Sequence, residues 1–284
     1  FIMTDHTNQT DETDQAVAPA YGAPMDLAIF DQTPLWTPEI DDLAKRVAHW
    51  VRCDHPGAVV YGIQRIGKTS CCEYLVNAVP QILGGTTVAV KWDVEITKLK
   101  GELETIRDFL SQSGSTAINS QRIGILKARL FDHLIALANA CNAPRIMIIV
   151  DEAHRLEWDH LKILLVIYNG IKARKKECFV LLMGEPSLKA SRETYMANRE
   201  YLQMAGRFFF SQHEFGGIDV NSLQELLESI DDVRRITEKY LDGRVPEGFR
   251  LASFAPLYKE AIENLAAAEG RPVPRFPMQF LRIS

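Results

Sequence analysis

Eight consecutive residues, Gly62-Ile63-Gln64-Arg65-Ile66-Gly67-Lys68-Thr69, follow the pattern G-x-x-x-x-G-K-[ST]. Two glycines at that spacing let the backbone curl so that several N–H groups converge on one point, beside the positive end of a following helix. A polyphosphate is the ligand such a cradle suits. Lys68 can reach its outer phosphates, the Thr69 hydroxyl can join a Mg²⁺ shell, and Ser70 follows in the first helical turn. A second group lies downstream, where Arg145-Ile146-Met147-Ile148-Ile149-Val150 ends in Asp151-Glu152. An acidic pair after an apolar strand can be a helix N-cap. With the glycine-rich loop upstream, Asp151 reads instead as a Mg²⁺ ligand, and Glu152 as the general base that polarises a water against the γ-phosphate. The two groups together predict a site for a nucleoside triphosphate and Mg²⁺.

Such groups must be carried by strand tips. Ala58-Val59-Val60-Tyr61 reads as a buried strand before the loop, and the residues from Ser70 open a helix that runs to about Pro80. The run ending at Val150 is too short for a core helix and rich in β-branched residues, so it reads as a central strand. Thr37-Pro38-Glu39-Ile40 combines an N-cap, a first-turn proline and early acids, which starts a helix running to about Arg52. Further strands are predicted at 87–92 and 178–183, with a last one at Arg207-Phe208-Phe209-Phe210. Helices are predicted at 99–110, 121–139 and 158–172, with a polar loop over 111–120. Alternating strands and helices give an α/β fold with a parallel sheet, followed by a small helical region from about Asp219.

The bulk numbers narrow the class. A chain of 284 residues with 46% apolar content can bury a large core, and a formal charge of −5 confines any nucleic-acid contact to a local patch. The five cysteines show no C-x-x-C spacing, which favours a reducing compartment, and neither a membrane span nor a signal peptide is visible. A cytoplasmic protein with no membrane partner is the expectation. Residues 1–25 are polar and acidic and read as a disordered arm. The remaining domain boundaries are expected at 26–217 for the α/β core and 218–284 for the helical part.

With both motifs in place, the chain resembles the AAA+ ATPases over roughly residues 35–284: a P-loop NTPase core with a parallel sheet, followed by a small helical lid. Within that class it is most similar to the TniB/TnsC-type ATP-binding regulators of DNA transposition. The short chain carries this resemblance, together with a phosphate loop about sixty residues in, Asp151-Glu152-Ala153-His154-Arg155-Leu156, and the stretch from Leu181 to Leu188. The resemblance implies ATP and Mg²⁺ as cofactors and slow hydrolysis. It also implies ATP-dependent helical oligomers or rings on duplex DNA without sequence preference, and recruitment of a transposase and a target-selection protein. An AAA+ loader or secretion-associated ATPase acting on protein partners shares these patterns.

The resemblance further implies a polar γ-phosphate sensor after the strand that follows Asp151-Glu152. Glu185 stands there, in place of the expected Thr, Ser or Asn. Arg207 fits an arginine finger reaching a neighbouring subunit, with Arg199 second, and Arg275 in Pro274-Arg275-Phe276 fits a lid arginine. The lid is either truncated or ends in a short helix. Implied DNA contacts are Thr97, Lys98 and Lys100, then Ser113, Ser115 and Thr116, with Arg122 nearby. Lys172-Ala173-Arg174-Lys175-Lys176 is more basic but falls at a helix end, where cations complement the dipole. The D-E-A-H spelling also matches a helicase box, but the segment beyond His154 is too short for a second lobe. His154 therefore reads as lying behind the acids or at the surface.

Overall fold

A computed structural model of the chain describes residues 37–95, 101–232, 248–268, 270 and 275. The acidic arm over 1–25 and the candidate DNA residues Thr97, Lys98 and Lys100 lie outside the described residues.

The first helix, α1 (Pro38–Arg52), begins as its sequence dictates: Thr37 Oγ1 accepts the Ile40 N–H at 3.2 Å and Pro38 fills the first turn. Strand β1 (Gly57–Tyr61) then runs to the phosphate loop, and α2 (Lys68–Ile82) leaves it. Pro80 falls in the last turn of α2, which continues two residues beyond it. Next come β2 (Thr87–Asp93), α3 (Glu102–Gln112), α4 (Ile123–Ala140) and β3 (Arg145–Asp151). After β3 come α5 (Trp158–Ala173), β4 (Glu177–Gly184), α6 (Ser187–Ala197), α7 (Leu202–Phe208) and β5 (Ser211–Glu214).

The five strands form one parallel sheet in the order β2-β3-β4-β1-β5. Parallel strands require crossover helices on the faces, so the central strands are buried on both sides and read as continuous apolar runs. Ile146 to Val150 and Val180 to Met183 are fully buried. One face packs Val88, Val90, Trp92, Ile148 and Val150 against α3, α4 and α5. The other packs Ala89, Met147 and Ile149 against Cys71, Cys72 and Leu75 of α2 and, through α1, Val47 and Val51. At roughly 1.5–3 kcal/mol for each large side chain removed from water, these two layers dominate the stability.

The expected last strand at Arg207–Phe210 is overturned. Arg207 and Phe208 close helix α7, and the next strand begins only at Ser211. The aromatic run has strand propensity, but Phe208 and Phe209 are buried by turning a helix end into the core. The strand itself, Ser211-Gln212-His213-Glu214, is polar because it is an edge that, among the described residues, pairs only with β1.

Beyond the sheet, Ile218, Val220, Leu223, Leu226, Leu227 and Ile230 gather into a cluster of their own with Ala252 and Ala255. It is built from α8 (Leu223–Asp232), a tight turn at Leu251–Phe254 and α9 (Ala255–Ala268). Asp231 caps the turn by accepting the Leu251 and Ala252 N–H groups at 2.8 and 2.9 Å. Glu39 of α1 accepts the Asp219 N–H at 2.9 Å, tying the start of this cluster to the sheet layer. Among the described residues no helix is long and apolar enough to cross a membrane.

Candidate nucleotide site

The strand order brings the chemistry together. In a parallel sheet all strand tips carrying the motifs point the same way, and ligands collect outside those tips. β4 stands between β1 and β3, so the strand bearing Asp151 is one removed from the phosphate-loop strand. Glu185, directly after β4, therefore lies between the two motifs.

The phosphate loop needs its two glycines. A Cβ on Gly62 would come within 2.5 Å of the Phe215 carbonyl oxygen, and Gly67 adopts φ +94° at the entry to α2. Ile66 is buried beneath the loop, whereas Ile63, Gln64 and Arg65 are exposed. Lys68 folds back over the loop and donates to the Gly62 and Ile63 carbonyls at 3.1 and 2.6 Å. Burial lowers the Lys68 pKa, against the raising pull of Glu152, Glu185 and Asp151.

Asp151 is 1% exposed. One of its carboxylate oxygens accepts the Glu152 N–H at 2.9 Å. Burial raises the Asp151 pKa, opposed by Thr69 and by Lys91. The Thr69 hydroxyl at the start of α2 and the buried Asp151 carboxylate at the tip of β3 offer hard oxygens, the donor chemistry Mg²⁺ prefers, so the residues fit that ion. Thr69 and Asp151 would hold it.

Glu152 turns the chain out of β3 with φ +55°, a left-handed conformation rare for its type. Its carboxylate is 3.1 Å from Arg155 Nη2 and 3.8 Å from His154 Nε2. The same histidine nitrogen is 3.5 Å from Glu185, and Glu185 accepts the Gln64 side-chain amide at 3.0 Å. A chain of polar contacts, Gln64 to Glu185 to His154 to Glu152 to Arg155, thereby links the phosphate loop to the candidate base. Glu152, His154 and Glu185 each put one possible ligand atom within 4.8 Å of the others. Of the two expected placements, His154 takes the first: it is largely buried and packs against the two acids rather than lying at the surface. The motif reading missed Gln64's partner, Arg155 and Lys91. Only the two-residue spacing of Glu152 and His154 hinted at any of these contacts.

The remaining candidates are dispersed. Arg207 donates to the Gln203 carbonyl at 2.9 Å and lies over the Tyr168 ring at 5.9 Å. Its backbone abuts Gly57, at the opposite end of β1 from the phosphate loop. Arg199 is exposed between α6 and α7. Arg275 is exposed and packs against Gly216, where an added Cβ would lie 2.0 Å from its Nη1. Gly216 adjoins Phe215, so Arg275 is near the root of the phosphate loop, and the residues 276–284 after it lie outside the described residues.

Ser115, Thr116 and Arg122 belong to the 113–122 connection, which is pinned from behind. Arg107 donates to Ser120 O at 2.8 Å and Arg129 to Ala117 O and Asn119 O at 3.0 and 3.3 Å, while His133 Nε2 lies 2.8 Å from Ser113 O. Thr116 and Arg122 are left exposed. The basic run at 172–176 is spent locally: Lys172 pairs with Glu177, Arg174 caps Gly170 O and covers the Phe131 ring, and Lys176 donates to Ala143 O.

Residues 54–190 match the family model described as AAA domain. No curated protein matches the chain in sequence. Among solved structures, a Walker-type ATPase of Pyrococcus abyssi superposes with a TM-score of 0.52 at 14% identity, over 83% of this chain and 66% of that one. The ORC2 protein of Aeropyrum pernix in its ADP form gives 0.49 at 18% identity, over 88% and 70%. The ORC1 protein of the same organism in complex with DNA gives 0.47 at 14% identity, over 72% of this chain and 52% of that one, so this chain spans about half its length. The parallel five-stranded sheet and its helices are an AAA+ P-loop NTPase fold, with the AAA domain match running from the turn before β1 to the start of α6.

Proposed function

We propose that the protein is a slow ATPase that assembles on duplex DNA in an ATP-dependent manner and regulates DNA transposition, recruiting or activating a transposase and a target-selection protein. The observation that carries the nucleotide part is the convergence at neighbouring strand tips of the glycine-bearing loop, with Lys68 folded over it at 3.1 and 2.6 Å from the Gly62 and Ile63 carbonyls, and of buried Asp151. In this reading the loop from Gly62 to Ser70 binds the phosphates and Lys68 reaches the outermost. Mg²⁺, when bound by Thr69 and Asp151, would neutralise phosphate charge. Glu152 accepts a proton from the attacking water once it leaves Arg155 and His154. Glu185 replaces a neutral sensor, and its negative charge near a γ-phosphate accounts for slow turnover.

Assembly is supported by the position of Arg207. A residue whose backbone lies at the far end of β1, about 17 Å of strand away, can stabilise a γ-phosphate only in another copy. Support for DNA and transposition is the sequence resemblance and the exposed Thr116 and Arg122 on a stiffened connection. Sizing the protein with a non-hydrolysable ATP analogue and random duplex DNA tests the assembly. Large DNA-bound species that need the analogue are expected, and a strict monomer under those conditions removes both Arg207 and the oligomer. Lys98→Glu with Lys100→Glu is expected to weaken DNA binding while sparing nucleotide binding. Unchanged DNA affinity moves the contact elsewhere.

A further inference from the structure

The nucleotide site contains a cation that neither motif supplies. Lys91 lies on β2, and the register that sets Asp93 beside Asp151 puts it on the face of the sheet covered by α2. Its Nζ is 3.1 Å from Asp93, 3.6 Å from Glu73 of α2 and 3.9 Å from Asp151. The three acids differ in their access to water. Asp93 and Glu73 are about half exposed, at 51% and 48%, whereas Asp151 is 1% exposed and Lys91 itself 18%. Solvent and salt screen the first two pairs, so the longest of the three contacts is the least screened. The Glu152 N–H, which donates to Asp151 at 2.9 Å, carries no charge. Lys91 also joins three elements at one point: its own strand, the helix leaving the phosphate loop, and the tip of β3.

We propose that Lys91 is a positioning residue of the nucleotide site: its ammonium holds the Asp151 carboxylate from the α2 side and supplies part of the positive charge that a divalent cation brings to the same oxygens, so Lys91 sets the magnesium concentration the site requires. The inference rests on the magnesium–nucleotide reading of the site. Its physical content is competition. Two cations near one carboxylate repel, so removing the fixed one strengthens binding of the mobile one, and strengthening the fixed one's grip weakens it.

Binding of a fluorescent ATP analogue to the whole protein, titrated with MgCl₂ and repeated in EDTA, tests this without reference to turnover. Lys91→Met is expected to lower the magnesium concentration for half-maximal binding roughly tenfold, near the water-screened limit for one charge about 4 Å away. The same variant is expected to weaken binding in EDTA. Lys91→Arg restores the parent's requirement. Glu73→Gln with Asp93→Asn, at two half-exposed positions, leaves Lys91 to Asp151 alone and is expected to shift the requirement upward. If Lys91→Met does not fold, this double variant still decides the matter, because an unshifted requirement overturns the proposal. A folded Lys91→Met whose magnesium dependence equals the parent's overturns it as well. If the parent binds no analogue at any magnesium concentration, the nucleotide-site reading fails and takes this inference with it. A parent that binds beside an unshifted variant sinks the Lys91 inference alone.

Discussion

The tips of β1, β3 and β4 and the connection over 113–122 are both polar and loop-borne, yet they spend their charges differently. At the strand tips, side chains distant in sequence meet each other: Gln64 reaches Glu185 across 121 positions, and Lys91 lies 3.9 Å from Asp151 on the next strand. The pull of Glu152, Glu185 and Asp151 raises the Lys68 pKa against the lowering effect of burial. In the 113–122 connection, Arg107, Arg129 and His133 reach only 10 to 20 positions, to backbone carbonyls of the connection itself. The first region concentrates charge on one point in space, as a small polyanion demands. The second consumes charge to stiffen a loop and leaves a single guanidinium, Arg122, and a few hydroxyls to face outward. A cluster of basic residues in sequence is therefore a poor measure of what a surface offers a ligand.

The largest test of this contrast is at its centre. Lys68→Ala is expected to reduce affinity for Mg·ATP by about 100-fold or more while leaving the fold intact, measured by titration calorimetry and thermal unfolding. Glu152→Gln keeps binding and is expected to lower phosphate release by roughly 100- to 1,000-fold. Unchanged turnover would remove Glu152 as the base. At the second region the effects are smaller and of another kind. Arg129→Ala is expected to cost about 1 kcal/mol and to speed amide exchange across 113–122, with nucleotide affinity unchanged. Arg122→Glu is expected to lower the slope of log affinity against log salt for duplex DNA by about one phosphate contact, which gel shifts at several salt concentrations would read.

The smallest effect lies on the edge strand. Burial, with Arg46 and Arg275 nearby, lowers the His213 pKa from its ordinary value. The unfolded chain then binds more protons than the folded one between that lowered value and about pH 6.5, so stability present above pH 6.5 falls as the pH drops through this window. Because His213 is only partly buried, solvent screens the effect and the loss is the smallest of those expected. His213→Gln is expected to flatten it. An identical acid profile in the variant would place the acid sensitivity elsewhere.

Three of the five strands were legible because central parallel strands are buried on both faces and must be apolar throughout, and the edge strand β2 because Val88, Ala89, Val90 and Trp92 are buried under the helices on its two faces. The fifth was not, since an edge strand of Ser211-Gln212-His213-Glu214 carries no such signal while the neighbouring phenylalanines imitate one. Helix α6 escaped for a similar reason: among its residues only Leu188 is buried, so its apolar periodicity is faint. The phosphate loop and the acidic tip were readable because each is contiguous in sequence. The pairing of Gln64 with Glu185, the bridge at His154 and the ion pairs of Lys91 were not, because they arise from strand order, which places β4 between the motifs and β2 beside β3. No local pattern encodes that order.

The central claim is that a triphosphate binds between Lys68 and the Thr69–Asp151 pair. Titration of the purified chain with ATP in the presence and absence of magnesium tests it most directly. The account predicts saturable binding at one site per chain that tightens with magnesium and disappears in Lys68→Ala. Absence of affinity for magnesium-complexed adenine nucleotides, or equal affinity in Lys68→Ala, would contradict it.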